Sequence, residues 1–138
     1  MADAVSASEA VPVAEFRAAL RGFMRTSERN ARAAGLTPQR YLLLLMIKGS
    51  PDGSERSTVT DLAERLQLAQ STVTELVSRA EEVGLISRER SSDDGRIAFL
   101  RLTEEGERRL AQVFTSNARE RQTLGRAFEQ LQSTGLPT

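Results

Sequence analysis

The chain has 138 residues, 39% hydrophobic and 28% charged, and its 19 basic and 19 acidic side chains cancel to zero net charge. That composition fits one globular domain. With no cysteine and no histidine, disulfides, thiolate metal sites, cysteine redox sensing and the usual general base near neutral pH are all absent, so neither catalysis nor a metal or cofactor is expected.

Every basic residue except Lys48 is arginine, the side chain suited to forked hydrogen bonding and minor-groove insertion. The start, MADAVSASEAVPV, lacks the basic and apolar regions of a secretory signal. No segment approaches the roughly 20 apolar residues that span a bilayer. A cytoplasmic protein with no membrane partner is the expectation.

Residues 1–11 are small and polar and are expected to lack order. From Pro12 to about Ala34, the helical spacing of Val13, Phe16, Leu20, Phe23 and Ser27 predicts an amphipathic helix, with Arg17, Arg21, Arg25 and Arg29 as a second stripe. Gly35 should end it in a left-handed cap. Thr37 and Pro38 then open a helix whose run Tyr41–Ile47 is apolar nearly all round and should be buried. Residues 50–57, SPDGSERS, read as a loop, with a short strand at Thr58 and Val59.

Thr60 is read as the cap of a short helix carrying Leu62, Ala63 and Leu66. A turn over Gln67–Ala69 leads to a second helix from about Gln70 to Val83. Val73, Leu76, Val77, Ala80 and Val83 should face inward; Ser71, Thr74, Glu75 and Ser78 fall on the outer face. Gly84 stops this helix, with Leu85 folding back on it. Strands at Ile86–Arg90 and Arg96–Leu102 flank Asp94-Gly95, a hairpin-turn signal. Thr103 caps a final helix running to about Gln132, with a kink expected near Gly125.

Helix, turn, helix and charged hairpin, in that order, make a winged helix-turn-helix, whose second helix commonly enters the DNA major groove. Such a helix needs short polar side chains near its start. Ser71, Thr72, Thr74 and Ser78 fit, reaching bases or phosphates, and threonine methyls can touch thymine; Gln70, at the helix start, is a further DNA-binding candidate. Arg79 lies toward one flank as a phosphate ligand. Glu75 could accept from cytosine N4, but an unpaired carboxylate would repel phosphate. On the hairpin, Arg96 could enter the minor groove, oriented by Asp93 or Asp94, with Arg88 and Arg90 adding phosphate contacts.

The segments LTPQRYLLL (Leu36–Leu44), LAERLQLAQSTVTELV (Leu62–Val77), DDGR (Asp93–Arg96) and LTEEG (Leu102–Gly106) resemble landmarks of the MarR family in order and spacing. The resemblance covers roughly residues 13–132. It implies a mainly α (α+β) fold: one domain over 12–138, with a winged helix-turn-helix at 36–102 between dimerisation helices at 12–35 and 103–133. It further implies base contacts from Ser71, Thr72 and Thr74, and a minor-groove role for Arg96 supported by Asp94. Gln67 and Ala69 depart from the family's usual glycine and serine cap, and Glu75 from a basic or neutral residue.

In the last helix Leu110, Phe114, Asn117, Arg121, Leu124, Phe128 and Leu131 alternate at spacings of four and three, a packing seam with a polar middle. A second copy of the chain is the expected cover, and two-fold symmetry would set the recognition helices roughly 34 Å apart. The family also implies a small aromatic or anionic effector, for which Phe16, Phe23, Arg40 and Tyr41 are the candidate lining. The expectation is thus a homodimeric DNA-binding transcriptional repressor. The alternative is a winged-helix protein-interaction module, favoured by zero net charge and Glu75. The carboxylates Asp93, Asp94, Glu104 and Glu105 have simpler roles in a turn and a helix start than catalysis.

Overall fold

The computed structural model describes residues 3–134. The elements in order are α1 (Ala7–Ala33), α2 (Pro38–Lys48), β1 (Arg56–Ser57), α3 (Val59–Leu66), α4 (Gln70–Glu82), β2 (Ile86–Arg90), β3 (Ala98–Leu102), α5 (Glu104–Ser116) and α6 (Ala118–Thr134). They fall into two compact units. One spans Ala31–Val113; the other joins the segment up to Asn30 with the segment from Phe114.

The central unit is a winged helix-turn-helix around an apolar core. Leu43, Leu44 and Ile47 of α2, Leu62 of α3, Val73, Val77 and Ala80 of α4, and Leu100 of β3 are all 0% exposed. Val83, expected inside, is 50% exposed, because α4 ends at Glu82 and Val83 already departs from helical geometry as its C-cap. The sheet order is β1-β3-β2, with both pairings antiparallel.

Local chemistry sets the ends of these helices. Thr37 Oγ1 accepts from the Arg40 N–H at 3.1 Å, with Pro38 in the first turn. Gly35, Gln67 and Gly84 adopt positive φ, and in each case the following residue's N–H reaches back to the helix (Leu36 to Ala31, Leu68 to Ala63, Leu85 to Ala80). Gln67 holds φ 57° without being glycine, at some conformational cost. The short strand and the cap differ from expectation. The strand is Arg56–Ser57, and Thr58, not Thr60, caps α3 by accepting from the Asp61 N–H at 3.2 Å.

At the start of α5, Thr103 accepts from the Gly106 N–H at 3.1 Å and donates its hydroxyl to the Gly84 carbonyl at 2.6 Å. Lys48, ending α2, bridges Glu55 and Glu107 of α5, the latter at 3.0 Å.

The other unit holds most of α1 and all of α6. Helix α1 begins at Ala7, so residues 7–11 are helical and not unordered as expected. A reciprocal capping box explains this: the Glu9 N–H donates to Ser6 Oγ at 3.2 Å, while Glu9 Oε1 accepts from the Ser6 N–H at 3.2 Å and its hydroxyl at 2.7 Å. The long C-terminal helix is interrupted at Asn117, not Gly125, which lies within α6. Asn117 is 1% exposed; its amide donates to Ser27 Oγ at 3.2 Å and accepts from Asn30 Nδ2 at 2.8 Å. Across the break, Arg121 donates to the Phe114 carbonyl at 2.9 Å and stacks 3.8 Å over that ring. Phe16 and Phe128 pack with centroids 6.0 Å apart.

Candidate nucleic-acid interface

Helix α4 turns Val73, Val77 and Ala80 into the core, and the 3.6-residue period then leaves Ser71, Thr74, Glu75 and Ser78 outside, where all four are exposed. Gln70, Thr72 and Arg79 are exposed as well. Thr72, Glu75, Leu76 and Arg79 line a groove of about 490 Å³ with Thr37, Pro38, Gln39 and Arg40 from the start of α2. No side chain caps the N-terminus of α4 at Ala69. Its first N–H groups thus have no capping side chain, and a helix N-terminus is a setting that attracts anions.

Glu75 has a partner. Arg79, one turn later, donates to Glu75 Oε1 from Nη2 at 3.0 Å and from Nε at 3.3 Å. Charge on the outer face of α4 is thus locally compensated. Gln70 reaches back to α3, its side-chain amide donating to Thr60 Oγ1 at 3.4 Å. Thr60 is accordingly an exposed polar residue beside the start of α4, not a cap. The sequence signal that separates the two threonines is the position of Thr58 three residues before Asp61.

The hairpin tip is more elaborate than a two-residue Asp-Gly turn. Strand β3 begins at Ala98, so residues 91–97 form the tip. The Ile97 N–H donates to the Asp94 carbonyl at 3.0 Å, which places Gly95 and Arg96 at the centre of a turn. Arg96 therefore lies in the turn and not on the strand. Gly95 is not among the positive-φ residues, so the mirror-image turn expected of Asp-Gly is not formed.

Asp94, not Asp93, orients Arg96. Asp94 Oδ1 accepts from the Arg96 backbone N–H at 3.0 Å and from Nε at 3.2 Å, and Oδ2 accepts from Nη2 at 3.4 Å. The Arg96 side chain, followed by its backbone N–H, holds the Asp94 carboxyl below the usual range. The Arg96 side chain is 91% exposed, a projecting cation whose one side is turned toward Asp94. Ser91 Oγ accepts from the N–H groups of Asp93 and Asp94 at 3.2 and 3.3 Å. Arg90 Nη1 donates to the Gly95 carbonyl at 2.7 Å, and Arg88 Nε meets Glu81 of α4 at 2.8 Å. Arg90 and Arg88 thus brace the hairpin in this state.

The four effector candidates divide between the units. Phe16 and Phe23 are half-buried on α1, and Phe16 packs on Phe128. Tyr41 is 5% exposed within the core cluster, and Arg40 lines the α2/α4 groove. Among the described residues no cluster of acidic side chains is arranged to hold a metal ion, and no helix is long and apolar enough to cross a membrane.

Residues 34–97 match the sequence model of the MarR family, a stretch that runs from the end of α1 through the hairpin tip. The organic hydroperoxide resistance transcriptional regulator of Bacillus subtilis is 38% identical over 71 residues, 51% of this chain and 46% of that relative. The chain spans about half the length of the curated relatives it matches. Among solved structures, the PcaV transcriptional regulator of Streptomyces coelicolor, in complex with its natural ligand, is 34% identical. Its TM-score is 0.53, with 62% of this chain and 58% of that chain covered. A MepR mutant of S. aureus bound to an oligodeoxyribonucleotide shares the fold at 22% identity, with a TM-score of 0.65 and coverage of 86% and 88%. Element order and hairpin make the chain a winged helix-turn-helix protein, similar over residues 34–97 to the MarR family.

Proposed function

We propose that the chain is a cytoplasmic, homodimeric, sequence-specific DNA-binding regulator of transcription. It acts as a repressor on a pseudo-palindromic operator, with α4 in the major groove and the hairpin wing at the minor groove. The observation that carries this reading is Arg96. It projects from the wing tip at 91% exposure, with Asp94 gripping its Nε and Nη2, the form in which arginine suits the negative potential of a narrow minor groove. The uncapped start of α4 and the short side chains of Ser71, Thr72, Thr74 and Ser78 supply the matching major-groove element.

The unit that holds α6 and most of α1 supports a dimer. Val11, Val13, Met24, Phe114 and Phe128 are each between 48% and 57% exposed or just below, at 47% for Phe128. That is apolar surface which a second copy would cover. MepR bound to an oligodeoxyribonucleotide and PcaV bound to its natural ligand support a DNA partner and a bound ligand for this chain; release of duplex DNA by a small aromatic or anionic effector completes the proposal.

Selection from random duplex DNA tests the proposal. An enriched palindrome with half-sites about one helical turn apart is the expected result. Recovery of no sequence, or binding indifferent to sequence, would instead favour a winged-helix protein-interaction module, a reading that zero net charge and the paired state of Arg79 and Arg88 make specific.

A further inference from the structure

The wing projects beyond the hydrophobic core. On β2 only Ile86 is buried, and the four residues that follow are exposed. The buried rungs of the hairpin are Ile86↔Leu102 and the one at Leu100; beyond them lie Glu89↔Phe99 and Arg90↔Ala98, then the tip. A two-stranded ribbon of this kind has little stability of its own. Something must hold its outer rungs. On the face shared with the core side of β3, Arg88, opposite Leu100, meets Glu81 of α4 at 2.8 Å and ties down the base of the ribbon but not its outer rungs.

On the other face the brace comes from β1. This strand makes only two rungs with β3, Arg56↔Arg101 and Ser57↔Leu100. The Arg56 side chain reaches further than its backbone. Its guanidinium carbon lies 4.1 Å over the Phe99 ring, and Nη1 stands 3.8 Å from Glu89 Oε1. One side chain thus crosses all three strands diagonally and seats on the outer Glu89↔Phe99 rung. Arg101 completes the cluster: its Nε donates to Glu89 Oε2 at 3.4 Å and its Nη2 to the Ser54 carbonyl at 3.4 Å.

We propose that Arg56 is a positioning residue for Arg96: by clamping the Glu89↔Phe99 rung from the edge strand, it fixes the angle at which the wing tip is presented. Its affinity consequence rests on the DNA-binding reading above; its effect on the wing does not. The guanidinium is needed because a plane can stack on Phe99 while its edge meets the carboxylate, which an ammonium cannot do.

The experiment is a double-mutant cycle on the selected operator with Arg56→Ala, Arg56→Lys, Arg96→Ala and the Arg56→Ala/Arg96→Ala pair, accompanied by amide hydrogen exchange on the free proteins. Arg56→Ala is expected to weaken operator binding about two- to five-fold. Arg56→Lys should restore less than half of that loss, and Arg56→Ala should cost nothing further once Arg96 is gone. The Ser91 and Ile97 amides, which donate within the tip, should exchange faster in Arg56→Ala while core amides such as Leu62 and Val73 keep their rates. Losses that multiply in the pair would make Arg56 a phosphate ligand in its own right and overturn the proposal. Unchanged tip exchange, or acceleration spread evenly over the chain, would overturn it too. Failure of the wild type to select any DNA would sink the DNA-binding reading alone, and the exchange rates would still decide the role of Arg56.

Discussion

Glu75 and Arg79 lie one turn apart on α4, with Arg79 Nη2 and Nε both directed at Glu75 Oε1, 3.0 and 3.3 Å away. An acidic residue on a helix that meets phosphate is unfavourable unless its charge is answered, and this pair answers it within the helix. The pair is exposed, with side chains 66% and 61% accessible, so it contributes little to stability, about 0.3–0.5 kcal/mol.

Removing Glu75 should therefore strengthen DNA binding while leaving the fold intact. Glu75→Gln frees Arg79 to contact a phosphate. The slope of log affinity against log salt should steepen by about one per half-site, with discrimination between operator and random duplex reduced. Titration at several salt concentrations reads both; an unchanged slope would show that Arg79 never reaches the backbone.

Arg96→Ala should weaken operator binding by about 1–3 kcal/mol, or roughly 5- to 150-fold, with little change in thermal stability, since the side chain is 91% exposed. Asp94→Asn should cost less than Arg96→Ala, because the amide still accepts from the Arg96 N–H but no longer grips the guanidinium as a carboxylate does. Equal affinity of all three proteins would remove the wing from recognition.

Two glycines in helices should respond to alanine with opposite signs. A Cβ at Gly106 would stand 2.1 Å from the Leu85 carbonyl oxygen, which is backbone and itself accepts from the Thr103 N–H at 3.0 Å. Gly106→Ala is expected to destabilise by about 1–3 kcal/mol through overpacking. Gly125 has nothing within 4 Å of its would-be Cβ, so Gly125→Ala should stabilise by about 0.5–1 kcal/mol. Urea midpoints of the two variants check both signs.

Most of the central unit is legible in the sequence because its signals are local. Thr37-Pro38 and the glycines at 35 and 84 act within a turn or two, and the period of Val73, Val77 and Ala80 fixes which face of α4 is free. The misreadings share a cause, which is competition between neighbours of similar propensity. Thr58 and Thr60 are both plausible caps, and only Thr58 has an acidic residue, Asp61, three positions on, whose N–H it accepts. Pro12 suits a first turn, yet Ser6 and Glu9 satisfy each other and start the helix earlier. Gly125 is the weaker helix former, but the break falls at Asn117, whose amide is bound by Ser27 and Asn30 from a distant segment. The grip of Arg56 on Phe99 and Glu89 depends on strand register, which no local pattern announces.

That buried amide should matter. Asn117, 1% exposed, is replaced in Asn117→Ala by a group that cannot bond, leaving half-buried Asn30 without its acceptor and buried Ser27 without its donor, at a cost of about 1–3 kcal/mol. Chemical denaturation gives the number, and a loss under about 0.5 kcal/mol would mean that solvent reaches the site and takes over both bonds.

Acid should loosen the start of α5. Arg108 first and Arg109 second hold the Glu105 carboxyl well below its ordinary 4.5, down to about 2. A carboxyl with a depressed folded-state pKa contributes stability that is fully present above its unfolded value and is lost as pH falls through the folded one. The difference in Tm between wild type and Glu105→Gln should accordingly be constant above about pH 5 and shrink between about pH 4.5 and 2. A difference that persists unchanged at the acid end would show that the two arginines do not depend on the charge of Glu105.

In the proposed complex α4 and the wing read DNA together. The most direct test is the affinity of wild type and Arg96→Ala for the selected palindrome and for a scrambled duplex of equal length, each at two salt concentrations. Palindrome binding should be at least about 10³-fold tighter than scrambled and should weaken steeply with salt, with Arg96→Ala losing most on the palindrome. Equal, salt-insensitive binding of both duplexes by both proteins would contradict this reading.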